Sequence, residues 1–142
     1  MINSNAQKFD MLRELSLPIE QYAITGSGPM GIRDLKAIGD IDIIVTDELW
    51  KVLESRFGCA YSDETKKICF PGGIIEASCQ GSFDTQKLDH GFGTVSDRIN
   101  QAEIIDDLPF EKMSIVLYFK KQYMRDKDLN DIKLIEAWLN SH

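Results

Sequence analysis

Asp40 and Asp42 stand two residues apart in Gly39-Asp-Ile-Asp-Ile-Ile-Val45, whose apolar alternation predicts a β-strand over residues 40–45. On a strand, residues i and i+2 project to one face about 7 Å apart, so both carboxylates share a face while Ile41 and Ile43 take the other. Carboxylates held this close raise each other's pKa, a conflict that a divalent cation between them removes. Oxygen ligands that leave positions open for water and substrate phosphates are what Mg²⁺ uses at phosphoryl-transfer sites. The plain alternative is a strand-capping Asp40 and a solvated Asp42.

Upstream lies Gly26-Ser-Gly-Pro-Met-Gly31, directly after residues 21–25, which read as a strand. The glycines permit a tight turn, whose backbone N–H groups and Ser27 hydroxyl can hold phosphates beside the carboxylates. The same residues fit the GxGxxG fingerprint of dinucleotide-binding domains, with Asp47 at about the distance of the ribose-binding acid. That reading requires a crossover helix longer than Gly31 to Gly39 provides, and it gives Asp40 and Asp42 no task. No Gly-Lys-Ser/Thr follows the glycines, which excludes a P-loop.

Other elements must hold these residues in place. Spacing at Phe9, Met11, Leu12 and Leu15 predicts an opening helix between Asn5 and Pro18, and a short helix is expected from the glycine turn to about Ala37. Asp47 to Phe57 reads as a helix with Leu49, Val52, Leu53 and Phe57 inward, capped by Thr46 or Asp47. Cys59 to Tyr61 reads as a short strand, and residues 67–70, 71–73 and 74–78 as strand, turn and strand, a hairpin. Gly81 to Gly93 is polar and turn-rich, with Phe83 and Phe92 as anchors, and the next dozen residues fit helix and strand equally. Leu108-Pro-Phe110 is extended before a helix over 111–123, with Met113, Val116, Leu117 and Tyr123 on one side. A last helix over about 129–139 is expected to bury Leu129, Ile132, Ile135, Trp138 and Leu139. A crossover helix together with a hairpin implies a mixed sheet with helices before and after it, an α/β or α+β class in a single domain. Its core spans about residues 20–80 and its C-terminal helical part about 110–140.

At Ile24-Thr-Gly26-Ser27 and Asp40-Ile-Asp42-Ile-Ile44 the chain resembles the nucleotidyltransferase superfamily, whose palm-like domain is shared with DNA polymerase β, and within it the small stand-alone bacterial and archaeal type. The resemblance implies that Gly26 and Ser27 contact nucleotide phosphates and that Asp40 and Asp42 hold one or two Mg²⁺ ions. A third acid on a later strand would complete the metal site or serve as the base. The matching position is Glu76 in Ile74-Ile-Glu-Ala77, where many relatives carry Asp. Its alternative is an exposed strand residue. A second segment, Phe119-Lys-Lys-Gln-Tyr-Met-Arg-Asp-Lys-Asp-Leu-Asn-Asp-Ile132, is similar to the Lys, then Arg-x-Lys-Asp-Leu-x-Asp-Ile signature of many members. Lys120, Arg125, Lys127, Asp128 and Asp131 fall on its positions, and Leu108-Pro-Phe110 fits the same pattern. Physically, Arg125 and Lys127 can set cations over phosphates or a transition state, while Asp128 and Asp131 can orient them or cap the last helix. Residues 81–107 match no pattern of the family.

The implied activity is Mg²⁺-dependent transfer of a nucleoside monophosphate from a nucleoside triphosphate to an acceptor hydroxyl. The acceptor is a small molecule, a protein or a tRNA end. Asp40, Asp42, Glu76 and Lys120 are its catalytic candidates, and Gly26, Ser27, Arg125, Lys127, Asp128 and Asp131 its nucleotide-binding candidates. A non-catalytic nucleotide- or partner-binding module, such as one half of a toxin–antitoxin pair, is the rival, separated by whether Glu76 faces Asp40 and Asp42.

Composition agrees with one globular domain: 142 residues, 43% hydrophobic and 27% charged. Sixteen Lys and Arg against 23 Asp and Glu give a net charge of −7, which opposes broad binding to a phosphate backbone and leaves room for a local basic site. No apolar run reaches the roughly 18–20 residues of a membrane span and no signal-peptide core is present, so a cytoplasmic protein is expected. Cys59, Cys69 and Cys79 form no CxxC pair, and His90 and His142 are the only histidines, which argues against a disulfide framework and a histidine-rich metal centre.

Overall fold

A sheet whose central strands are buried on both faces builds the fold. A computed structural model describes residues 4–62, 65–83 and 91–142. Tyr22–Thr25 (β1) and Ile41–Val45 (β2) form an antiparallel pair at the centre of a mixed sheet, with Ala60–Ser62 (β3), Thr65–Cys69 (β4) and Ile75–Ser78 (β5) on one side. Glu103–Ile105 (β6) and Leu108–Phe110 (β7) lie on the other, giving the order β3-β4-β5-β2-β1-β7-β6. β5 runs parallel to β2 and β7 parallel to β1; the other neighbours are antiparallel.

One face carries Tyr22, Ile24, Ile41, Ile43, Val45, Ile68, Ile75 and Ala77, all buried. It packs on Phe9 and Leu12 of Asn5–Glu14 (α1) and on Leu49, Trp50 and Leu53 of Asp47–Phe57 (α3), forming the main core. Ser4 closes a capping box at the start of α1, and the Thr46 hydroxyl accepts from the Leu49 N–H at the start of α3. The opposite face carries Ala23 and Ile44, covered by Val95 and Ile99 of Val95–Asn100 (α5), with Phe83 of the single turn Gln80–Phe83 (α4) packed beside them. Gly28–Gly31 (α2) is a single turn, packed through Met30 on Met113–Tyr123 (α6) and Asp126–Ser141 (α7). Among the described residues no helix is long and apolar enough to cross a membrane.

Several boundaries differ from expectation, each for a local reason. α2 stops at Gly31 instead of continuing to about Ala37, because the chain reverses through Asp34 at φ 58° and folds Ile38 back against Gly31. The ambiguous stretch after Gly93 divides into α5, fixed by a Thr94–Asp97 capping box, and β6. α6 starts at Met113, since Glu111 is drawn into a buried ion pair and its N–H donates to the Ile24 carbonyl. α7 starts at Asp126, where Arg125 and Asp128 form the capping interaction. Leu129 is 46% exposed, contrary to expectation, because Asp128 and Asp131 take the inward positions beside Ile132 and Ile135. In α3 Trp50 is buried and Val52 exposed, and in α6 Tyr123 is exposed. Phe83 packs on the smaller core and Phe92 meets the Tyr118 ring, while residues 84–90 of the expected turn-rich stretch, His90 among them, lie outside the described residues.

The antiparallel pairing of β1 and β2 also removes the parallel strand-helix-strand unit that a dinucleotide fingerprint needs. Tyr22 pairs with Val45 and Thr25 with Asp42, so Asp47 lies beyond the end of the sheet remote from Gly26. The glycines have other reasons. Gly26 adopts φ 65°, and a Cβ there would lie 3.0 Å from Asp42 Oδ2. A Cβ at Gly28 would overlap Ile24 Cγ2, and one at Gly31 would overlap Ile38 Cγ2.

Candidate active site

Thr25, Asp42 and Glu76 are successive register partners across β1, β2 and β5, and therefore project from one face of the sheet. It is the face opposite the main core. The next partner of Glu76 is Cys69 on β4, whose thiol lies 3.9 Å from Glu76 Oε1, and Lys67, two residues before it, places Nζ 3.8 Å from Glu76 Oε2. Between this face and the helices α5 and α6 lies a cavity of about 220 Å³. Gly26, Asp42 and Lys67 line one side of it, and Lys120, Tyr123 and Arg125 the other.

Asp42 is the focus of this arrangement. Its half-buried carboxylate receives no hydrogen bond among the described residues. Burial raises its pKa first, the Glu76 charge raises it further and Asp40 adds to this, while Lys67 and Lys127 pull it down. Asp40 occupies the exposed bend immediately before β2 and Lys127 the exposed first turn of α7; neither lines the cavity, and both act on Asp42 through their charge. Ser27, half-buried at the head of α2, makes no side-chain cap there. Asp40, Asp42 and Glu76 carry carboxylate oxygens of the kind Mg²⁺ takes, and the surroundings of Asp42 disfavour its charge. Among the described residues no three His, Cys, Asp or Glu side chains are already gathered into a metal-binding group.

Asp128 and Asp131 act behind the cavity wall. Arg125 donates from Nε to Asp128 Oδ2 at 2.7 Å and from Nη2 to Oδ1 at 3.3 Å. Lys120 donates to Asp131 Oδ2 at 3.0 Å and lies 3.7 Å from Asp128 Oδ1, while Lys36 reaches both oxygens of Asp131 at 3.0 Å. Both acids are almost fully buried. Their ion pairs hold Lys120 and Arg125, not the expected Arg125 and Lys127, and neither acid lines the cavity as a nucleotide-binding residue would; Asp128 also caps α7.

Burial alone would raise the pKa of Asp128, but hydrogen bonds from the Arg125 side chain and backbone, with the charges of Arg125 and Lys120, outweigh it and hold the group below its ordinary value. A depressed carboxyl contributes stability that is present above its unfolded pKa and is lost as pH falls through the folded value. Asp128→Asn is therefore expected to destabilise the protein by about 1–3 kcal/mol at pH 7, and the gap to wild type should close below pH 4 in urea melts at both pH values. A gap independent of pH would deny the ion pair its part.

The structure brings Gly26, Asp42, Lys120 and Arg125 of the expected residues to one cavity and pairs Glu76 with Asp42, while Ser27, Asp40, Glu76, Lys127, Asp128 and Asp131 do not line it; Lys36, Lys67 and the pair Arg98–Glu111 are not anticipated by the sequence reading. Arg98 lines the cavity and donates to Glu111 from Nε at 2.6 Å and from Nη2 at 3.0 Å, and the Thr25 hydroxyl donates to Glu111 Oε1 at 2.6 Å. Lys67 had a readable signal: with the hairpin register fixed, strand alternation puts it on the face of Glu76. The chain matches no known protein family, and searches of curated proteins and of solved structures return no significant match.

Proposed function

We propose that the protein is a nucleotidyltransferase-like enzyme that moves a nucleoside monophosphate from a nucleoside triphosphate to an acceptor hydroxyl on a small molecule, a protein or a tRNA end. One observation carries the reading: two motifs far apart in sequence converge on one cavity, Gly26 and Asp42 on one side, Lys120 and Arg125 on the other, with Glu76 the register partner of Asp42.

In this reading the acceptor oxygen forms a bond to the α-phosphorus, the bond to the β-phosphate oxygen breaks, and pyrophosphate leaves. Gly26 allows the backbone to approach the phosphates, and Ser27 offers its hydroxyl to them. Lys120, Arg125 and Lys127 neutralise charge that develops on the transferred and leaving groups. Glu76 accepts the acceptor's proton or joins Asp40 and Asp42 in holding Mg²⁺. Bound there, Mg²⁺ would supply Lewis-acid neutralisation of the phosphate oxygens.

Calorimetric titration of ATP, GTP, CTP and UTP, with and without Mg²⁺, tests the reading on wild type and Asp42→Ala. Binding that requires Mg²⁺ and disappears in the variant is expected. Metal-independent binding that survives the substitution would remove the site. Tight binding with no product against any acceptor would favour the non-catalytic nucleotide-binding module.

A further inference from the structure

One wall of the cavity is aromatic, and nothing in the phosphate chemistry above uses it. Phe119 and Tyr123, one turn apart on α6, both line the cavity, with ring centroids 6.5 Å apart and planes inclined by only 28°. A guanidinium braces each ring. Arg98 Cζ lies 4.5 Å from the Phe119 centroid and Arg125 Cζ lies 5.0 Å from that of Tyr123. Both cations are themselves tied down, Arg98 by Glu111 and Arg125 by Asp128. Immobilised rings lose little further freedom when a ligand covers them, so the wall is ready for a flat partner. Tyr123 is nevertheless 41% exposed and lines the cavity beside Arg125.

Resting on the nucleotide reading above, we infer that the Phe119–Tyr123 wall is the nucleobase subsite, on which the donor's base stacks. The cavity's size agrees: about 220 Å³ is below the roughly 300–1,000 Å³ of pockets that enclose a drug-sized ligand. Gly26, Lys120 and Arg125 line the same cavity, so a base on the aromatic wall leaves its phosphates beside them. Stacking reads a π-face that every base has, so the four triphosphates should bind within about tenfold of one another, purines ahead of pyrimidines.

The test compares ATP, adenosine and inorganic tripolyphosphate as calorimetric probes of wild type, Tyr123→Ala and Tyr123→Phe. Tyr123→Ala is expected to weaken ATP and adenosine about tenfold, Tyr123→Phe to restore both, and tripolyphosphate to bind all three proteins alike. ATP affinity unchanged in Tyr123→Ala, or ATP and tripolyphosphate weakened equally, would overturn the subsite. Adenosine binding that depends on Tyr123 in a protein blind to tripolyphosphate would uphold the wall and sink the phosphate reading. Failure of wild type to bind either ATP or adenosine would overturn the wall itself.

Discussion

Asp42→Asn is expected to lower the proposed nucleotidyl transfer by roughly a thousandfold or more and, in the same protein, to raise the melting temperature. The two effects have one cause. The carboxylate sits at the cavity surface, desolvated and next to Glu76, with Asp40 close enough to add to the repulsion. Its pKa is therefore higher in the folded protein than in the unfolded chain. Between the ordinary carboxylate value and the raised one, the native state binds more protons than the unfolded state, so stability falls as pH rises through that window. Above the window the cost is present in full. Asn has the shape of Asp and no charge, so its advantage should be visible at pH 7 and fade below the ordinary carboxylate range. Pyrophosphate release measures the first effect, and calorimetric melts at pH 7 and pH 4 measure the second. Mg²⁺ should raise the melting temperature of wild type, because it binds only the folded site, and leave the variant unmoved. A variant that transfers normally would remove Asp42 from the mechanism, and one that melts like wild type at pH 7 would show its charge to be costless.

What the sequence made legible was periodic. Alternation in Ile41–Val45 fixed β2 and the face of Asp42, and the hairpin around Pro71-Gly-Gly73 placed Glu76 on a neighbouring strand. Motif order then brought Lys120 and Arg125 to the same site. Less legible was everything decided by buried charge. Asp128 and Asp131 take inward positions on α7 that a hydrophobic count assigns to Leu129, and Glu111 delays the start of α6. A hydrophobic count cannot find the inward positions of Asp131 and Glu111, because each is stabilised by a partner outside its own stretch of chain: Lys36 for Asp131, Arg98 for Glu111. The direction of β2 was equally hidden. Gly26 to Gly31 is compatible with a parallel crossover or with an antiparallel return, and only the reversal at Asp34 with the packing of Ile38 on Gly31 selects the second.

Glu111→Ala should have the largest effect on stability, a loss of about 3–5 kcal/mol, or roughly 10–20 °C in melting temperature. Glu111 is fully buried and accepts two hydrogen bonds from Arg98 and one from Thr25. Removing it leaves the Arg98 guanidinium, itself 7% exposed, without its ion-pair partner. The penalty reflects the charge left behind more than the net worth of the pair, so Arg98→Met combined with Glu111→Leu should recover most of the loss in urea denaturation. That double variant then separates two roles. Arg98 also braces Phe119, and Glu111 holds the hydroxyl of Thr25, the register partner of Asp42. If the double variant is stable yet binds nucleotide weakly, the pair positions the site as well as closing the core. Full binding in the stable double variant would confine the pair to folding, and a single Glu111→Ala that costs under 1 kcal/mol would contradict the buried contact itself.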